Sequence, residues 1–174
     1  MIVGRMSVGE VRPGYELWRP NREKAESITA PVLEGIAKAG NGKTLADFDI
    51  APYVRVAMGD DLAACRDAIR PQLALYIGGM GARSKNYYND LARRFGYEAA
   101  AVAIQELYLG GRRKEAEAAV PDALIDETSL VGPKERITDR LAAWKKLGRD
   151  GRVGTLVPAG ATQEALRVVA EAAS

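Results

Sequence analysis

The sequence FDIAPYVRVAMGDDL, residues 48–62, predicts a buried strand that leads directly into a helix. Apolar side chains at Ile50, Val54, Val56 and Met58 alternate with a mixed second set, which is the period of a strand with one apolar face. The Gly-Asp-Asp that follows ends the strand and supplies an aspartate to cap the next helix. The segment therefore predicts one strand–helix unit of an α/β protein.

Helical patterns dominate the rest of the chain. Apolar residues at helical spacing, with caps and closing glycines, predict helices at residues 21–39, 61–79, 85–95, 97–109, 112–120, 133–147 and 162–173. Ser84 is the expected cap of the helix that closes at Gly96. On the helix that starts at Pro133, Arg136 and Arg140 are expected to face solvent.

A second buried strand is predicted at residues 152–158, RVGTLVP, and a short extended piece within residues 121–132. Strands separated by helices predict a parallel α/β sheet. Since two strands cannot make a sheet that is buried on both faces, either residues 1–20 contribute further strand or the chain supplies part of a larger sheet. Residues 1–20 show no sustained period, which predicts an irregular N-terminal segment.

The composition argues against several classes of protein. The 25 basic and 23 acidic residues are interspersed along helical segments, which does not indicate a nucleic-acid partner. No apolar run approaches the ~20 residues that cross a membrane, so no membrane partner is predicted and a cytoplasmic location is expected. The single cysteine, Cys65, excludes an intramolecular disulfide.

Histidine is absent from the chain, which removes the commonest general base and the commonest metal ligand. No metal site is predicted. Chemistry by this chain would therefore use carboxylates, lysine, tyrosine or a bound cofactor.

A glycine-rich break between two helical patterns is the strongest candidate for a ligand site. Gly78, Gly79 and Gly81 permit close approach of the backbone to a ligand. Arg83 and Lys85 lie within one turn of each other and could hold a carboxylate or a phosphate. We therefore predict that these five residues bind a cofactor.

Polar and aromatic residues directly after the break are predicted to bind substrate. Asn86 adds an amide beside the cations, and Tyr87 and Tyr88 add aromatic surface for a planar ring or a lipid-like molecule. Five of the chain's seven tyrosines lie within residues 73–109. The alternative is a helix–helix corner with solvated charges and core tyrosines.

Three stretches of the sequence resemble the luciferase-like monooxygenase superfamily. They are DFDIAPYVRVAMGDDLAACRDAIRPQLALYIGGMG (47–81), KNYYNDLARRFGYE (85–98) and SLVGPKERITDRLAAWKKLG (129–148). Within the superfamily they are similar to actinobacterial deazaflavin (coenzyme F-420) dependent oxidoreductases. The resemblance implies an α/β fold, a partial (β/α)₈ TIM barrel that corresponds to the C-terminal half and is helix-rich with few strands. It would span residues 21–174, with a helical insertion at 78–128.

The resemblance also implies a function. The expected reaction is hydride transfer between a deazaflavin or flavin cofactor and an organic substrate, with coenzyme F-420 as the cofactor or FMN as the alternative. Because a complete barrel needs eight strands and about 250 residues, a second copy or a complementing half-barrel chain is the expected partner. The competing hypothesis is a non-catalytic helical α/β interaction module that pairs with another half-barrel chain.

Barrel enzymes carry their reacting groups beyond the carboxyl ends of the strands. The loops after Met58 and Val157 are therefore further candidate positions, although Gly59-Asp60-Asp61 is explained by helix capping and the loop after Val157 by a plain connection. Gly132-Pro133-Lys134 resembles a phosphate-binding turn only weakly. A proline at the first helical position explains this sequence without a ligand. The glycine-rich break would form a lid over the barrel mouth.

Overall fold

The segment that predicts the first strand forms the middle of a parallel sheet. The computed structural model describes residues 22–173, with only the backbone of residues 22–28. Its strands are β1 (Tyr53–Met58), β2 (Ser129–Gly132) and β3 (Val157–Ala159). They lie in the order β2-β1-β3, so the first strand along the chain is flanked by the two later ones.

Both neighbours of β1 pair with it in parallel, but they meet different parts of it. β2 lies beside the second half of β1, with Val56 opposite Leu130 and Met58 opposite Gly132. β3 lies beside the first half, with Arg55 opposite Ala159. β1 therefore projects three residues beyond the end of β3, a step of about 10 Å at the usual rise of a strand.

Helices account for most of the other residues that the structure describes. They are α1 (Arg22–Ala39), α2 (Leu62–Ala74), α3 (Tyr87–Arg94), α4 (Glu98–Leu109), α5 (Arg113–Ala118), α6 (Asp122–Thr128), α7 (Lys134–Arg149) and α8 (Gln163–Ala173). A 3₁₀ turn, Leu45–Asp47, precedes β1. A π-helical turn, Leu75–Gly79, extends α2.

The two faces of the sheet are covered by different helices. Ala57 and Val131 face a core that α2 to α6 complete. Val54, Val56 and Leu130 face a second core, in which α7 and α8 supply the packing side chains. Val54 is fully buried, and the sheet is the middle of three layers.

The structure adds a third strand to the two that the sequence predicted. The short extended piece within residues 121–132 is the third strand, β2, and all four of its residues are buried. A strand so short carries no alternation that a sequence pattern could detect. The predicted helix-rich α/β class with few strands is confirmed, while the prediction for residues 1–20 lies outside the described residues. That residues 78–128 form an insertion stays a prediction.

The predicted ends of the other strands and one predicted cap were wrong. β1 begins at Tyr53 rather than at residue 48, and β3 is confined to Val157–Ala159 rather than 152–158. Upstream of β3 the chain turns, because Gly154 N and Thr155 N both donate to Ile50 O instead of continuing a ladder. The cap of α3 is Asn86, whose side chain accepts from Tyr88 N and Asn89 N, not Ser84.

The two outer edges of the sheet are protected. On β2, Arg136 Nε donates to Val131 O at 3.0 Å and so occupies an outward carbonyl. On β3, Val157 N donates inward to Pro52 O, so alternation turns the next residue, Pro158, outward. Proline has no N–H to offer a further strand. Features of this kind disfavour the addition of a further strand.

No helix within residues 22–173 is long and apolar enough to cross a membrane. The same part of the chain contains no group of three or more Cys, Asp or Glu residues placed to hold a metal ion.

The position of β3 beside β1 can be tested with an engineered disulfide. Asp49 Oδ2 accepts from Thr155 Oγ1 at 2.7 Å, just before the two strands begin. We expect Asp49→Cys with Thr155→Cys, in a Cys65→Ala background, to oxidise readily and to raise the melting temperature, because the crosslink closes a loop of about 100 residues. A Ser84→Cys with Thr155→Cys pair is the control. Failure of the first pair to crosslink in the folded protein would contradict the observed strand order.

Candidate functional site

The carboxyl ends of the three strands meet at one edge of the sheet, where each strand gives way to a helix. Gly59 N donates to Gly132 O at 3.1 Å, which continues the β1–β2 ladder by one residue. On the other side β1 projects beyond β3. We call this step in the edge the carboxyl-edge notch and define it by Met58, Gly59 and Gly160. Ligands of α/β sheets bind at this edge, because the helix N-termini and loops converge there.

Two of the three helices that start at this edge, α2 and α8, are capped by side chains. Asp61 Oδ1 accepts from Ala63 N at 2.8 Å and from Ala64 N at 3.1 Å at the start of α2. At the start of α8, Thr162 Oγ1 accepts from Ala165 N at 3.2 Å. The capping predicted for Gly59-Asp60-Asp61 is therefore confirmed.

Arg55 brings a positive charge to the notch. Its half-buried side chain lies against Gly160, where a Cβ atom would be 3.1 Å from Arg55 Nη1. Gly160 has φ +74°, a conformation that favours glycine. Among residues 22–173 the Arg55 guanidinium has no hydrogen bond or ion pair. Sequence analysis missed this residue, although an arginine in the middle of an apolar strand is a detectable signal.

An ion-pair network lies at the β2 side of the same edge and joins α2, α6 and α7. Asp126 accepts from Arg66 Nε at 3.1 Å and from Arg66 Nη2 at 2.7 Å. It also pairs with Arg136 Nη2 at 2.9 Å. Asp122 pairs with Arg66 at 3.0 Å and with Arg70.

Burial alone would raise the pKa of Asp126, but the hydrogen bond from Arg66 and the charges of Arg136 and Arg66 outweigh it and hold the pKa below its ordinary value. The network therefore fixes Asp126 as a carboxylate. Arg136 and Arg140 were expected to face solvent, and this was wrong, because both side chains are half-buried. Arg136 contacts Asp126 of α6 and Val131 O of β2, and no pattern within α7 itself reveals those contacts.

The residues predicted to bind a ligand lie at the other end of the molecule. α2 and its π-helical turn start at the carboxyl edge and contain 13 and 5 residues, so they extend about 27 Å at the usual helical rise. A helix that follows a parallel strand runs back along the sheet. The glycine-rich break therefore lies near the amino ends of the strands, away from the notch.

The glycines of the break allow close packing within the protein. A Cβ atom on Gly78 would lie 2.5 Å from Tyr108 Cβ, and one on Gly79 would overlap the Tyr108 ring. A Cβ atom on Gly81 would lie 2.9 Å from Asn86 Cα. Protein atoms thus occupy the space that these glycines leave open.

Buried amides satisfy the backbone of the π-helical turn. Asn86 Nδ2 donates to Tyr76 O at 3.1 Å and to Ile77 O at 2.9 Å. Asn89 Nδ2 donates to Ile77 O at 3.1 Å and to Ala101 O at 2.7 Å, which ties the turn to α4. A π-helical turn leaves carbonyl groups without their usual partners, so these amides compensate for the irregularity.

The remaining predicted residues divide between surface and interior. Arg83 and Lys85 are exposed, and Arg83 Nη1 lies 4.0 Å from Glu106 Oε1. Tyr87 is 41% exposed, whereas Tyr88 is buried and its ring meets Tyr87 edge-on at 5.4 Å between centroids. The structure therefore brings the eight predicted residues together as a group, but with an exposed part and a packed part.

Comparisons with known proteins point to one family. The sequence pattern of "Luciferase-like monooxygenase" matches residues 6–151. A Mycobacterium tuberculosis protein named "Putative coenzyme F420-dependent oxidoreductase" is 37% identical over 115 residues, which are 66% of this chain and 33% of that protein. The chain thus aligns with about a third of the length of this relative.

The fold is similar to that of the coenzyme F420 dependent tetrahydromethanopterin reductase from Methanopyrus kandleri. The TM-score is 0.62 at 19% identity, and the match covers 90% of this chain and 42% of the reductase chain. At this identity the likeness concerns the fold alone. It confirms the predicted fold class, a partial fold of the luciferase-like barrel family.

The packing role of Gly78 predicts a cost for any side chain there. Gly78→Ala is expected to lower the free energy of unfolding by about 1–3 kcal/mol, because Tyr108 Cβ is fixed to the α4 backbone and cannot move aside alone. The matched control is Gly148→Ala in α7, where the added Cβ makes only an ordinary contact at 3.6 Å. It should be neutral or stabilising. Urea unfolding compares them, and equal effects would refute the packing role.

The lowered pKa of Asp126 predicts a pH-dependent contribution to stability. Because folding lowers this pKa, the stabilisation is complete above the ordinary value of 3.8 and is lost as the pH falls through the folded-state value. Asp126→Asn should therefore lower the free energy of unfolding by about 2–3 kcal/mol at neutral pH, and by less at lower pH. Asp139→Asn, at an exposed position of α7, is the control. A loss that is independent of pH would contradict the ion-pair assignment.

Proposed function

Because this chain belongs to the luciferase-like monooxygenase family, we propose that it forms part of an oxidoreductase that transfers a hydride between a deazaflavin or flavin cofactor and an organic substrate. The family match spans residues 6–151, and this observation carries the proposal. Both similar proteins have "coenzyme F420 dependent" in their names, which favours a deazaflavin over FMN.

The carboxyl-edge notch is the proposed position of the cofactor. Flavin-type cofactors combine a flat ring with an anionic side chain, so a site needs an open edge and a positive group. At the notch Gly160 is exposed, and Arg55 lies against it without an ion-pair partner in the described chain. Arg55 and the turn at Gly160 would hold the anionic side chain, beside the first turn of α8.

The absence of histidine from the chain is compatible with a reaction whose chemistry is carried by a bound cofactor. The bound ring supplies the hydride chemistry, and the protein supplies binding and orientation. A chain without histidine can perform that role, because none of its side chains needs to act as a general base near neutral pH.

The residues of the glycine-rich break stay a second proposed contact surface. Gly78, Gly79, Gly81, Arg83 and Lys85 were predicted to bind the cofactor. Of these, only the two cations are exposed. The packing of the glycines and their distance from the carboxyl edge support the helix-corner alternative instead.

The predicted substrate residues are also divided between exposed and buried positions. Asn86 and Tyr88 are buried, so Tyr87 is the one of the three with a surface that substrate could reach. A ligand at this end would contact Tyr87 together with Arg83 and Lys85.

We propose that a partner chain would contact helices and not extend the sheet. The competing hypothesis of an interaction module relied on open strand edges. Arg136 on Val131 O and Pro158 on β3 argue against that mode of pairing. A second copy of the chain or a complementing half-barrel chain stays a proposal, and its contact would have to form on other surfaces.

Cofactor binding separates the alternatives. We expect coenzyme F420 to bind the purified chain saturably, with changes in its absorbance and fluorescence, and Arg55→Gln to weaken the affinity about tenfold through loss of a charge-assisted contact. Arg167→Gln, at an exposed position of α8, is the control. Arg83→Ala with Lys85→Ala should leave the melting temperature nearly unchanged and should reduce affinity only if the break binds ligand.

Each outcome has a distinct meaning. Equal affinity of the wild type and Arg55→Gln would exclude the notch as the site. Absence of binding by both F420 and FMN at millimolar concentration would refute autonomous cofactor binding by this chain. Analytical ultracentrifugation of the same samples would then test the interaction-module hypothesis.

A further inference from the structure

Arg140 on α7 is a half-buried guanidinium group that no described residue neutralises. It lies one helical turn from Arg136, a spacing that places both side chains on one face of α7. Arg136 donates to Val131 O and pairs with Asp126. No hydrogen bond or ion pair joins Arg140 to any residue in the described part of the chain.

The nearby carboxylates are already engaged. Both oxygens of Asp126 accept from Arg66, and one of them also pairs with Arg136. Asp122 is shared by Arg66 and Arg70, and Asp67 pairs with Arg70. Four guanidinium groups, those of Arg66, Arg70, Arg136 and Arg140, therefore meet three carboxylates. The excess positive charge lies at Arg140.

The surroundings of Arg140 disfavour a charge that stands alone. Burial lowers the pKa of its guanidinium, and the neighbouring charge of Arg136 lowers it further. The Asp126 carboxylate opposes this effect but does not cancel it. A half-buried cation beside a like charge is costly unless an anion joins it.

We propose that Arg136 and Arg140 form a binding site for a phosphate group at the outer edge of β2. Val131 O and Asp126 hold Nε and Nη2 of Arg136 in place, which leaves Nη1 for a ligand. Arg140 adds a second planar fork one turn further along α7. Two guanidinium groups can contact different oxygens of one phosphate. A phosphate also carries two negative charges, whereas a carboxylate carries one.

This site is separate from the carboxyl-edge notch. Arg140 lies on the β2 side of the sheet, whereas Arg55 and Gly160 lie between β1 and β3. Phosphate binding at Arg140 therefore does not require the proposed cofactor. Failure of one proposal leaves the other intact.

Calorimetric titration with inorganic phosphate tests the proposal. We expect saturable binding by the wild type, and an affinity about tenfold weaker or more for Arg140→Gln, since a charge-assisted fork is lost. Arg167→Gln should bind like the wild type. Thermal unfolding in phosphate and in chloride at equal ionic strength gives a second readout. Phosphate should stabilise the wild type more than Arg140→Gln, because ligand binding to the folded state raises its stability.

The proposal is overturned if wild type and Arg140→Gln respond equally to phosphate, or if phosphate acts no differently from chloride beyond a salt effect common to all variants. If Arg140→Gln does not fold, Arg140→Lys keeps the charge without the fork. It should unfold near the wild-type temperature in chloride and bind phosphate more weakly. Wild-type affinity in that variant would also overturn the proposal.

Competition with FMN and with riboflavin distinguishes a site for a nucleotide phosphate from a site for other phosphate ligands. FMN and riboflavin differ by one phosphate group. Competition with inorganic phosphate by FMN, but not by riboflavin, would assign the site to a nucleotide phosphate. With no competition by either probe, Arg140-dependent binding supports a site for free phosphate or for another phosphorylated ligand.

Discussion

The rest of the structure depends on β1 being paired on both sides by strands that follow it in the chain. Because one connection runs toward β2 and the next crosses back to β3, the helices are distributed over both faces of the sheet. Val54 on one face and Ala57 on the other are thereby covered without any second chain. A complete barrel places its strands in consecutive order with all helices outside. In this chain the three described strands instead lie between two helical layers.

Features of the fold that depend on a short segment of sequence could be predicted, whereas features that depend on contacts between distant segments could not. The alternation within β1 and the glycine stops of the helices are properties of short segments, so they were predicted from the sequence. β2 is four residues long and β3 three, and only pairing with β1 makes them strands. The choice of Asn86 over Ser84 as a cap depends on carbonyl groups of a π-helical turn ten residues earlier. The ion pair of Arg136 depends on α6, and the position of Arg55 against Gly160 depends on the turn after β3.

The two ends of α2 illustrate how similar sequence signals can serve different purposes. Glycine, arginine and aromatic residues at the far end look like a ligand site, but the glycines admit Tyr108 and the amides complete the backbone of an irregular turn. At the near end such signals are sparser, and yet two guanidinium groups, Arg55 and Arg140, make no hydrogen bond or ion pair within the described chain. Unpaired guanidinium groups, rather than residue types in a short segment, are therefore the basis of both binding sites that we propose.

The pairing of β1 with β3 also constrains the order in which the molecule is made. β1 and Ile50 leave the ribosome about 100 residues before β3, the strand that pairs with the second edge of β1. Until Val157 emerges, Pro52 O has no donor from β3 and the core beneath α8 is open. Residues 157–173 therefore supply β3 and α8, and a nascent chain without them exposes apolar surface that these residues cover.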